Sequence, residues 1–156
     1  MTRVDFYFNV SDKPQLIVDL TQKAVDKHRR VMVYAADEMQ AKALSDKLWC
    51  DTPSSFLPHC LVNADSIDYS SLSFVPIVIA TSADRGQEAH LHQDDVLINL
   101  HRQHPAFFSR FRQLIELVGM DEADKMAARA RYKFYRDRGY EIKSIDNKAT
   151  QEILAQ

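Results

Sequence analysis

Strand-like and helix-like patterns alternate along the first hundred residues. Arg3 to Phe8 places Val4, Phe6 and Phe8 at every second position, the spacing of a strand, and Ser11-Asp12-Lys13-Pro14 then supplies a turn and a helix start. From Pro14 to His28 the apolar residues Leu16, Ile17, Leu20, Ala24 and Val25 recur every three or four positions, which makes one stripe on a helix. The basic cluster Lys27-His28-Arg29-Arg30 suits the negative end of that helix. Val31 to Ala36 is a continuous apolar run, the signature of a strand covered on both faces. Asp37 is placed to cap a helix running from about Glu38 to Trp49.

Two further aliphatic runs, Pro76 to Ala80 and Val96 to Leu100, read as strands, and Cys60-Leu61-Val62 reads as a short edge strand. Pro105 to Val118 is dense in Phe107, Phe108, Phe111, Leu114, Ile115 and Val118, a pattern that predicts a helix stopped by Gly119. A last helix is predicted from an Asp121 cap to Arg138, with Gly139 as left-handed terminator, and Tyr140 to Ile145 as a returning strand. The order implies an α/β domain over residues 1–145: three layers, α/β/α, around a mostly parallel sheet, with 146–156 as a polar tail. No repeat or linker interrupts it.

Such an order is Rossmann-like, yet it comes without a nucleotide-binding loop. Phosphate cradles need glycines at a helix start, and the three glycines, Gly86, Gly119 and Gly139, form no such motif. His90 and His92, near Asp94, Asp95, His101 and His104, lack the partners of a structural zinc site and read as loop histidines. Cys50, Cys60 and His59 show no accompanying acid or oxyanion hole. No metal, cofactor or catalytic residue is expected.

Composition narrows the function further. With 46% hydrophobic and 27% charged residues and no long apolar run, the chain reads as a water-soluble protein. The absence of signal-peptide features at Met1 to Asp5 leads to a cytoplasmic expectation. A formal net charge of -2 is not that of a surface built wholly for nucleic acid, so any anion site must be a local patch.

The last helix holds such a patch. Taken at 100° per residue from Lys125, the residues Arg129, Tyr132, Lys133 and Arg136 fall at about 40°, -20°, 80° and 20°, one stripe of four cations around a ring. Met126, Ala127, Ala130 and Phe134 fall at about 100° to 200° and are expected to face the core. Asp121, Glu122 and Asp124 sit in the first turn and leave the middle of the stripe uncompensated. With Val118 and Met120 beside it, the stripe suits an acidic peptide with a hydrophobic anchor. It equally suits the phosphates of single-stranded nucleic acid. Trp49 and the proline-flanked Phe56, with Pro58, form a second candidate surface, either core plugs or interface anchors.

Five stretches together resemble one family, in order from residue 4 to about 145: Val4-Asp5-Phe6-Tyr7-Phe8, Leu44 to Trp49, Ser55-Phe56-Leu57-Pro58-His59, Asp95 to Leu100, and Ala128 to Arg136. It is the chi subunit of bacterial DNA polymerase III, an accessory of the clamp loader. The resemblance implies a non-catalytic α/β adaptor that binds the psi subunit and the acidic, Phe-ending tail of single-stranded DNA-binding protein. DNA would be met only indirectly, at the replisome and nucleoid. It further implies tail-binding positions Lys125, Arg129, Tyr132, Lys133 and Arg136, with Val118 and Gly139 lining the pocket, and psi-facing Trp49, Phe56 and Pro58. Relatives recruit a repair helicase through the psi-facing surface, which makes such a helicase a third candidate partner. The stretch 83–95, with Asp84, Glu88, Asp94 and Asp95 against Arg85, is more acidic than the family pattern, and neither it nor the tail receives a function.

Overall fold

Capping chemistry and aliphatic runs place the elements. In this computed structural model, which describes residues 2–50, 59–62, 77–80, 95–105 and 108–147, the first strand is β1 (Arg3–Val10). Helix α1 (Lys13–Asp26) follows, with Asp12 Oδ1 accepting the Gln15 amide at 3.1 Å. Strand β2 (Val31–Tyr34) leads to α2 (Glu38–Cys50), where Asp37 accepts the Gln40 amide at 2.8 Å. Then come β3 (His59–Val62), β4 (Ile77–Ala80), β5 (Val96–Asn99), a short 3-10 turn at Phe108–Arg110, β6 (Gln113–Gly119), α3 (Glu122–Asp137) and β7 (Ile142–Asp146). No helix among the described residues is long and apolar enough to cross a membrane.

One segment departs from its predicted form. The apolar run after Pro105 is not a helix: it makes the 3-10 turn and then β6, which hydrogen-bonds between β5 and β1. A strand buried on both faces needs apolar residues on both, so its spacing imitates a buried helix. Gly119 therefore ends a strand and stops no helix.

The seven described strands form one sheet in the order β3-β4-β2-β5-β6-β1-β7, and every pairing is parallel. Alternate strand residues feed two cores. Val4, Phe6, Met32, Leu97, Leu114 and Val118 pack with Ala128 and Tyr135 of α3. Val31, Val33, Ile77, Ile79, Ile98 and Ile115 pack with α1 and α2 on the other face. The fold is thus the three-layer α/β arrangement.

The connections leave β1 and β6 in opposite directions. From β1 the chain crosses with α1 over one face to β2, and from β6 it crosses with α3 over the other face to β7. Adjacent strands whose crossovers diverge open a crevice at their carboxyl ends, the usual place for a ligand in such sheets. Strand β7 runs through Asp146 and Asn147 is buried, so the domain body extends past residue 145.

Candidate functional site

A small polar clamp lies at the crevice. Gly119 ends β6 opposite Val10 of β1, and its amide donates to Asp124 Oδ2 at 2.6 Å. Lys13 Nζ, at the start of α1, lies 2.7 Å from the same oxygen. A Cβ on Gly119 would meet Asp124 Oδ2 at 3.0 Å and Lys13 Cε at 3.4 Å, so a larger residue would have to push these two side chains aside. Partial burial pushes the Asp124 carboxyl up. The hydrogen bonds from Lys13 and Gly119 and the Lys13 charge outweigh it and hold the group below 3.8.

That direction fixes a pH dependence. A carboxyl with a depressed folded pKa adds stability above its ordinary value and loses it as pH falls through the folded one. Asp124→Asn should therefore lower stability by about 1 kcal/mol at neutral pH, with the deficit closing in acid below the ordinary range. Urea unfolding across pH reads it, and a deficit that persists unchanged in acid would refute the clamp.

Beyond the clamp lies a groove of about 390 Å³. Its floor is Phe6, Phe8, Val118 and Ala128, and Asn9 and Ser144 close one side. Lys125, Arg129 and Tyr132 of α3 form the rim. Tyr132 is 37% exposed, with its ring edge-on to Phe6 at 5.4 Å between centroids. Asn9 takes a positive φ of 58°, tolerable for asparagine, and donates to Asp146 at 3.3 Å. Lys125 has Glu122 at 3.8 Å on the surface, whereas Arg129 and Lys133 pair with no described carboxylate. Arg136 lies 3.5 Å from Asp137, both exposed.

Helix α3 is seated by polar as well as apolar contacts, which corrects its predicted orientation. Met126 and Ala130 are exposed, Met126 at 65%, while Ala128, Arg131 and Tyr135 are buried; Ala127 and Phe134 sit at the margin. Arg131 Nε donates to Glu116 Oε2 at 2.9 Å, Tyr135 Oη to Oε1 at 2.7 Å, and Asn99 Nδ2 to Oε1 at 3.0 Å. Arg131 Nη1 also reaches the Arg102 carbonyl at 2.8 Å. Burial pushes the Glu116 carboxyl up against these donors, and burial beside Glu116 raises the Tyr135 phenol. The wheel sets Met126, Ala127, Ala130 and Phe134 toward the core and gives Arg131 no place there. A lone glutamate inside the Leu114 to Val118 run was the signal that a buried cation must answer it.

Of the positions singled out in the sequence, the groove gathers Lys125, Arg129, Tyr132 and Val118. Lys133 and Arg136 continue the exposed stripe outside it, and Gly139, with φ of 81°, lies past the far end of α3. Phe6, Phe8, Asn9 and Ser144 enter from β1 and β7 and were not foreseen. Trp49 belongs to α2, but its side chain is outside the described residues, as are Phe56, Pro58, His90, His92, Phe107 and the stretch 148–156.

Comparison with known proteins agrees in sequence over this same span. A family model described as DNA polymerase III chi subunit, HolC, matches residues 1–143. The chain belongs to the DNA polymerase III chi subunit family. The chi subunit of Pseudomonas aeruginosa is 33% identical over 146 residues, covering 91% of this chain and 94% of that protein. The chi subunit of Escherichia coli is 28% identical over 128 residues, covering 82% and 81%. That of Haemophilus influenzae is 33% identical over 114 residues, covering 73% of each. Membership places the chain in DNA replication, as an accessory subunit of that polymerase. Among solved structures, the C-terminal domain of the DEAD-box protein Dbp5 is similar, with a TM-score of 0.68 at 12% identity, covering 98% of this chain and 94% of that one. A substituted Dbp5 C-terminal domain from Saccharomyces cerevisiae, bound to Gle1 and IP6, gives 0.62 at 12% identity. At such identity the chi-family chain shares a fold with it and nothing more.

Proposed function

We propose that the groove beside α3 captures the acidic, Phe-ending tail of single-stranded DNA-binding protein. The surface around Trp49, Phe56 and Pro58 holds the psi subunit, and the chain thereby links the clamp loader to coated DNA as a non-catalytic adaptor in the cytoplasm. The observation that carries the reading is Arg129, a cation without a described acidic partner, at the rim of an apolar groove floored by Phe6 and Val118. An aromatic terminal side chain fills such a floor while its carboxylate meets the guanidinium. Family membership adds support for psi as partner, and the same psi-facing surface would serve a repair helicase.

A bridging pull-down tests the whole proposal. Immobilised psi should retain single-stranded DNA-binding protein only when this chain is present. Arg129→Ala should leave psi binding intact and weaken tail binding about tenfold to a hundredfold, the loss of one charge-assisted hydrogen bond. Added salt should weaken it too. Unchanged tail affinity in Arg129→Ala would remove the site, and retention of the chain on psi after Trp49→Ala would remove the second surface.

A further inference from the structure

The chain carries a second concentration of positive charge at the opposite end of the sheet from the groove. Two adjoining hollows, of about 400 and 210 Å³, open where the amino ends of β1, β5 and β6 meet the last turn of α1. They share Arg3, Lys27, Arg29 and Gln113, and so form one continuous surface. Arg112 extends it on one side, Lys23 and Lys143 on the other.

Six cations line these hollows against two carboxylates, Asp5 and Asp95. Both acids are engaged: Asp5 accepts from Arg3 and Gln113, and Asp95 accepts the Arg30 amide and lies 3.8 Å from Arg112. The carbonyl end of α1 adds roughly half a negative charge, too little to answer the rest. Lys23, Lys27, Arg29 and Lys143 are exposed and pair with no described carboxylate. In a chain of formal charge -2, this excess is local.

We propose that this surface binds the sugar-phosphate backbone of single-stranded nucleic acid directly. The larger hollow has no apolar residue in its lining and so offers no anchor to an acidic peptide, unlike the groove beside α3; the smaller hollow reaches Tyr7, Leu20 and Ile145, all only partly exposed. Cations drawn from β1, α1 and the turn after it, the approach to β6, and β7 match a row of phosphates better than a single anion. The hollows are concave, and a flexible strand enters them where a rigid duplex does not.

Fluorescence anisotropy of a labelled oligothymidylate with the full chain tests the proposal. Binding is expected at low salt, with log affinity falling by roughly 0.7 per phosphate engaged for each decade of salt. Lys27→Glu, Arg29→Glu and Lys143→Glu combined should weaken it about tenfold or more. None of the three makes a described ion pair, and an unchanged urea midpoint will show that the variant folds. The set carrying glutamine at the same positions should show a smaller loss in the same direction. Arg129→Glu, at the other end of the sheet, should cost the oligonucleotide far less affinity than the triple glutamate variant does. The proposal is overturned by absent binding at low salt, by a duplex binding more tightly than the single strand, or by loss in Arg129→Glu with both triple variants unaffected.

Discussion

Arg131→Ala should cost the fold about 3–5 kcal/mol at neutral pH, because it strands a carboxylate in the core. Glu116 and Arg131 are 0% and 4% exposed at their side chains, so water cannot take over when the guanidinium goes. Tyr135 and Asn99 still donate to Glu116, but neither brings a charge. Glu116→Gln combined with Arg131→Met should recover most of the loss, since the amide oxygen still accepts from Tyr135 and no buried charge remains. The pH dependence separates this account from simple loss of packing. Burial already holds Glu116 above its ordinary value of 4.5, and losing Arg131 pushes it further up. A group with a raised folded pKa contributes stability below the ordinary value, and the contribution is lost as pH rises through the folded one. The Arg131→Ala deficit should therefore be greatest near neutrality and shrink as pH falls. A deficit under 1 kcal/mol, or one flat with pH, would contradict the buried pair.

The same network explains what was legible in the sequence. Local chemistry carried most of the fold: Asp37 caps α2 as expected, Asp121 stands at the N-cap of α3 although its side chain accepts no capping hydrogen bond, Gly139 takes its left-handed turn, and the short aliphatic runs are strands. Periodicity failed where both faces are covered. In β6, Leu114 and Val118 point into one core, Ile115 and Leu117 into the other, so no alternation survives to mark a strand. The orientation of α3 was misread for a related reason, since a hydrophobic wheel cannot foresee that Glu116 draws Arg131 inward. The candidate groove was half legible. Lys125, Arg129 and Tyr132 share one helix, so spacing alone unites them, but Phe6, Phe8 and Ser144 join them only through parallel pairing of β1 with β6 and β7.

Phe111→Ala and Met126→Ala make a decisive pair, since hydrophobic patterning assigns both positions to the core and the structure assigns only one. Phe111 is 2% exposed at the entry to β6, inside the core beneath α3, and its carbonyl accepts the Thr2 hydroxyl at 2.6 Å. Truncating it leaves a cavity in the core that also holds Tyr135 and Leu114, and the ladders to β1 and β5 on either side of β6 resist its collapse. The expected loss is about 3–5 kcal/mol, or roughly 10 °C in melting temperature for a domain of this size. Met126 is mostly in solvent, and its truncation should stay within about 0.5 kcal/mol. Urea unfolding should show the Phe111→Ala midpoint falling with an unchanged slope, and the Met126→Ala midpoint staying where it is. Equal losses at the two positions would mean that α3 is rotated from the orientation described. The groove would go with it, because Arg129 and Tyr132 reach its rim only while Ala128 and Tyr135 face the sheet.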